Sequence, residues 1–226
     1  MKSGSLIIAF AGCVSSLVAV AQTPVPRPGT PTPLAYKQEW KSAEKFPLQE
    51  PITQARVLNP NLELKLYGAY KPDGILFSHQ FKEQVPHVFN GLCSPTCALA
   101  FREKENYVDL SGLGKLRWIT MINGLHEIRI VLKLADGTWL MSDQKTGYSS
   151  EYHLSEFVLR DIRWRHLDIE KVGEHADGKW FDKPDLSKVD EIGWTDMTPG
   201  IGHGQGGWAD VGWIEVYGKL VKREKQ

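Results

Sequence analysis

Several things are scarce in this chain, and each scarcity narrows what it is. Cysteine occurs only three times in 226 residues, which excludes a dense disulfide scaffold and a multi-cysteine zinc site. No apolar run is long enough to cross a bilayer comfortably. Charge of one sign is not in excess, since 27 basic residues face 27 acidic ones. With no basic stripe, neither nucleic acid nor an anionic membrane is an expected partner. Beyond residue 60 no stretch keeps a helical apolar period over several turns, so a helical fold is not expected.

The opening MKSGSLIIAFAGCVSSLVAVAQ has Lys2, a small-residue apolar run, and Ala19-Val20-Ala21. This is the anatomy of a secretory signal peptide cleaved after Ala21, so a secreted or periplasmic mature chain is expected. Lipid attachment at Cys13 is the lesser alternative, because Phe10 fits a lipobox badly and the apolar stretch runs on past the cysteine. Removing residues 1–21 takes away Lys2 and leaves 26 basic against 27 acidic residues, a net charge of −1. The two remaining cysteines, Cys93 and Cys97 in LCSPTC, are an even, closely spaced pair in an oxidising compartment, and a small-loop disulfide is expected.

Residues 22–33, QTPVPRPGTPTP, carry five prolines in twelve positions. They read as an extended spacer, with an irregular segment to residue 58 and the folded domain over residues 59–222. Within the domain, LELKLY (62–67) alternates apolar and polar residues, as a half-buried strand does. EIRIVLKL (127–134) does the same and runs through Asp136-Gly137 into TWLMS, a strong hairpin signal. LRWITMI (116–122), FVLRDI (157–162), RWRHLDI (163–169), VDEIGWT (189–195) and VGWIEVY (211–217) complete a set of short strands. An antiparallel β-sandwich or barrel is expected. The segments VDLSGLGKLRWITM (108–121) and PDLSKVDEIGWTDM (184–197) echo each other: each has an Asp-Leu-Ser turn followed by a strand carrying Trp. They read as two corresponding strands of one sandwich.

The order of these segments, from YVDLSGLGKLRWITM to the closing WADVGWIEVYG, resembles the galactose-binding-like jelly roll of bacterial secreted carbohydrate-binding modules. The resemblance covers about residues 60–220. It implies terminal strands that pair, here LKLYG (64–68) with IEVYG (214–218), and a polysaccharide or glycoconjugate as partner. In such modules the terminal strand often carries Asp where this chain has Glu215, so a structural calcium is not carried over. No other cofactor is implied.

Sugar rings pack their C–H faces on aromatic rings, while their hydroxyls need polar partners, so the eight tryptophans and seven tyrosines come into question. Trp118, Trp164, Trp194 and Trp213 lie within strands, where core packing is expected. Trp139, Trp180 and Trp208 follow turns, and Tyr148 and Tyr152 lie in a polar stretch; these are the candidate stacking residues. Asp196 and Asp210 flank the glycine loop GIGHGQGGW (200–208) and His203 lies within it; these three are the candidate polar contacts. That loop lacks the Lys-Ser/Thr and the following helix of a phosphate cradle. His203 has no second ligand at metal spacing. The alternatives to a non-catalytic glycan-binding domain are a jelly-roll hydrolase or lyase, with carboxylates such as Asp196 and Asp210 or Glu215 as acid and base, and a cell-envelope domain that binds protein through the same aromatics.

Overall fold

The computed structural model describes residues 31–68, 74–90, 93, 96–174, 177–198 and 207–224. The signal-peptide stretch, most of the proline-rich spacer and His203 lie outside these residues. Among the described residues seventeen strands, all paired antiparallel, build two sheets. The first runs β11 (Ser149–Val158), β8 (Lys115–Gly124), β16 (Gly207–Tyr217), β5 (His87–Phe89), β4 (Leu76–His79) and β2 (Leu48–Pro51), with β1 (Leu34–Glu39) also on β16. The second runs β13 (Gly173–Glu174), β12 (Trp164–Asp168), β10 (Trp139–Thr146), β9 (Ile128–Leu134), β15 (Val189–Asp196), β6 (Ala98–Glu103) and β3 (Leu62–Tyr67). Branching from it are β14 (Trp180–Phe181) on β12, β7 (Asn106–Asp109) on β15, and β17 (Lys219–Lys222) on β7. The chain is the expected antiparallel β-sandwich of the jelly-roll kind.

Alternation decides which side chains meet between the sheets. On β8, Leu116, Trp118 and Ile122 point inward; on β9, Ile128, Ile130 and Leu132 do so. Trp118, Trp164 and Trp194 are fully buried in this core, as expected of strand tryptophans. The Asp-Gly hairpin forms as read: Gly137 adopts φ +90°, and the Leu134 amide donates to the Thr138 carbonyl at 2.9 Å. Both Asp-Leu-Ser segments are Asx turns, with the Ser111 amide 2.9 Å from Asp109 Oδ1 and the Ser187 amide 2.9 Å from Asp185 Oδ1. The strand after the first lies in one sheet and the strand after the second in the other. The Leu110 amide donates to the Leu186 carbonyl at 2.9 Å and joins the two turns. Cys93 and Cys97 form the expected disulfide, buried in the core with Cα atoms 5.8 Å apart.

Two sequence expectations are corrected. The sandwich begins at Leu34 rather than near residue 59: β1 pairs with β16 from Leu34↔Tyr217 to Glu39↔Trp213, and Tyr36 and Trp40 join the core. The inward positions of β1 are Tyr36 and the fully buried Gln38, so no apolar alternation announces it. Consequently LKLYG does not pair with IEVYG. β3 pairs with β6 instead, and β1 takes the place beside the last long strand.

Candidate functional site

The outer face of the first sheet is organised by an irregularity in β16. Its register against β8 shifts between Val211↔Thr120 and Trp213↔Ile119, with Gly212 as the extra residue of a β-bulge. Before the bulge, Ala209 and Val211 face the core; after it, Ile214 and Val216 do. The parity change therefore places Trp208, Asp210, Trp213, Glu215 and Tyr217 together on the outer face. A Cβ on Gly212 would lie 2.8 Å from both Ile119 Cγ2 and Val85 Cγ1, so the bulge position is fitted to the absence of a side chain. Trp213 is thus not the core residue its strand position suggested. The signal that locates it is the isolated glycine inside a strand pattern, which marks a bulge.

Around Trp213 and Tyr217 the neighbouring strands supply charge. Lys37 on β1 sits 5.0 Å over the Trp213 ring and 2.9 Å from Glu39. Lys115 lies 4.8 Å over the Tyr217 ring and bonds Glu156 on β11 at 3.1 Å. Arg117 bonds the same carboxylate, and these two hydrogen bonds, the one from Arg117 first, hold Glu156 below the usual carboxylate range. The Tyr217 hydroxyl donates to Glu215 Oε2 at 2.8 Å. Lys37, Lys115 and Arg117 thus meet Glu39, Glu156 and Glu215, three charges of each sign. The face combines two half-buried aromatics with a fixed, electrically balanced set of donors and acceptors.

Toward the other end of β16 the row is covered. Asp210 is buried, with Oδ2 3.6 Å from His87 Nε2, and the Tyr152 hydroxyl lies 3.5 Å from the Val85 carbonyl. Burial, then the charge of Asp210, push the Tyr152 hydroxyl up and keep it protonated. Beyond this cover stands Trp208, partly exposed and opposite Asn123. Tyr148, 69% exposed, leaves the β10–β11 turn at that same end.

The remaining sequence candidates lie elsewhere. Trp139 is 7% exposed and belongs to a smaller apolar cluster on the outer face of the second sheet, with Tyr67 edge-on at 4.8 Å. Trp180 is on that same outer face, 37% exposed. Trp139, Trp180 and Trp208 therefore do not converge; they are divided between opposite faces of the sandwich. Asp196 is 3% exposed and bonded to His126. Among the described residues no group of three or more His, Cys, Asp or Glu is arranged to hold a metal ion.

No protein-family model matches the sequence, and no curated protein matches it. Among solved structures, the chain is similar to a family 11 carbohydrate-binding module from Clostridium thermocellum in complex with a β-1,3-1,4-mixed-linked tetrasaccharide. Identity is 15%, over 82% of this chain and 97% of that one, with a TM-score of 0.40. It is also similar to PfGH50B, at 9% identity over 70% of this chain and 22% of that one, TM-score 0.44. An exo-β-agarase gives 8% identity over 74% of this chain and 24% of that one, TM-score 0.40. The chain spans less than a quarter of the length of the last two.

Proposed function

We propose that the chain is an exported, non-catalytic domain that binds a neutral glycan on the outer face of its first sheet. The observation that carries this reading is the bulge-aligned set Trp213, Glu215 and Tyr217, framed by Lys37, Arg117 and Glu156. Aromatic rings offer a surface for sugar C–H faces, and fixed donors beside fixed carboxylates suit hydroxyl groups, which both give and accept hydrogen bonds. Balanced charge favours a ligand without charge of its own. Because the ion pairs hold these side chains in place before binding, little ordering is left to oppose association. Trp208 and Tyr148 extend the face toward the far end of β16.

The test is retardation of the full chain in gels containing neutral polysaccharides, together with a glycan array. Binding to at least one neutral polysaccharide is expected, with Trp213→Ala lowering affinity more than about tenfold, which corresponds to roughly 1.4 kcal/mol. Affinity unchanged by Trp213→Ala would remove this face from the reading. New reducing ends or unsaturated products in the same mixtures would replace a binding role by a catalytic one.

A further inference from the structure

We propose that Asn123 is a site of spontaneous covalent modification: its side chain closes a ring on the Gly124 amide, releases ammonia, and becomes aspartate and isoaspartate. This does not depend on the glycan reading. Asparagine before glycine is the sequence in which such closure meets least hindrance, because no Cβ stands beside the attacking amide nitrogen. The chain has two such pairs, Asn90-Gly91 and Asn123-Gly124, and the fold treats their asparagines differently.

Asn123 lies near the end of β8, half-buried, and Gly124 after it is exposed. Gly124 adopts φ +71° where the chain turns toward β9. Its amide nitrogen lies 2.6 Å from Asn123 Oδ1, so the nucleophile already stands against the carbonyl group it must attack. Among the described residues no other side-chain hydrogen bond holds the Asn123 amide. Asn90 is the opposite case, being 3% exposed. Its Nδ2 donates to the Cys97 carbonyl at 2.9 Å, and its Oδ1 accepts from Trp194 Nε1 at 3.3 Å. Both ends of that side-chain amide are engaged in the core.

In the first step the Gly124 nitrogen gives its proton to solvent base and bonds to Asn123 Cγ. The Cγ–Nδ2 bond breaks, and ammonia leaves with a proton from water. Water then opens the cyclic imide at either carbonyl, giving aspartate or isoaspartate, with nothing oxidised or reduced. Either product sets a carboxylate opposite Trp208. Isoaspartate also lengthens the main chain of β8 by one methylene, at the point where it pairs with the start of β16.

The experiment is incubation of the full chain at neutral and at mildly alkaline pH, both folded and in urea. Peptide mapping by mass spectrometry and enzymatic methylation of isoaspartate follow the products. In the folded chain the Asn123 peptide is expected to gain the mass of an amide-to-acid exchange, faster at the higher pH. It should react at least about tenfold faster than the Asn90 peptide, whose reaction must wait for local opening. In urea the two peptides should react at similar rates, and Asn123→Gln should remove the signal at its own position only. An unmodified Asn123 in the folded chain, with both peptides reacting in urea, would overturn the proposal by showing that the end of β8 protects it. Equal rates for Asn90 and Asn123 in the folded chain would do the same. Aspartate without isoaspartate would also overturn it, because direct hydrolysis of the amide, with no ring, gives aspartate alone.

Discussion

His126 Nδ1 lies 2.6 Å from Asp196 Oδ2, and both side chains are buried. His126 belongs to the crossing from β8 to β9, and Asp196 ends β15 where the chain leaves for β16. Around them the Met197 amide donates to the Glu127 carbonyl at 3.1 Å and the Thr198 hydroxyl to the Leu125 carbonyl at 3.0 Å. The pair thus ties together two passages of the chain between the sheets.

Removing one member leaves the other buried without its partner. Asp196→Ala is expected to cost about 3 kcal/mol, read as a lower urea midpoint at an unchanged slope. Glycan affinity of the folded fraction should stay at the wild-type value, which separates a structural aspartate from a binding one.

Tryptophans on the two outer faces should divide in the same way. Trp139→Ala empties a nearly buried site against Tyr67 and is expected to destabilise by about 3–5 kcal/mol without changing neutral-glycan affinity. Trp213→Ala should do the reverse, lowering affinity with a smaller change in stability. Thermal unfolding and affinity electrophoresis on the same two variants check both halves.

Much of this architecture is legible from residues alone. β3, β9, the Asp136-Gly137 hairpin and the twin Asp-Leu-Ser turns follow from period and turn chemistry, which act over a few neighbouring positions. β1 is not legible, because Gln38 occupies an inward position and pairs with distant backbone: its Oε1 accepts from the Asn59 amide at 3.1 Å. Trp213 is misplaced by any reading that carries alternation through Gly212 unbroken. Asp196 and Asp210 look like solvated loop carboxylates in sequence, since their burial depends on histidines far away in the chain.

Acid stability should depend on Asp190. Burial opposes its charged form, but hydrogen bonds from Arg102 and Arg223 outweigh this and hold its carboxyl below the usual carboxylate range. Arg102 Nε is 3.0 Å and Arg223 Nη1 2.6 Å from its Oδ1. A carboxylate with a lower value folded than unfolded stabilises above about pH 4, and that contribution disappears as pH falls through the folded value. Asp190→Asn should therefore lose about 1–2 kcal/mol at pH 7 and show a shallower decline below pH ~4, measured as urea midpoints across pH.

The disulfide closes a very small loop, with the two cysteines four positions apart. The chain-entropy relation gives about 2 kcal/mol for so short a closure. A Cys93→Ser, Cys97→Ser double variant should lose at least that amount, because two hydroxyls would then occupy core positions; chemical denaturation without reductant measures it.

β16 behaves, finally, like a message with a frame. Its eleven residues follow two opposite parities, and the extra residue at Gly212 is the switch between them. Running the strand straight through Gly212, with all eleven residues kept and no bulge, would send Trp213, Glu215 and Tyr217 toward the core and Ile214 and Val216 to solvent. The loss of one irregularity would thus exchange outer face for hydrophobic core along half a strand, with the composition of the strand untouched.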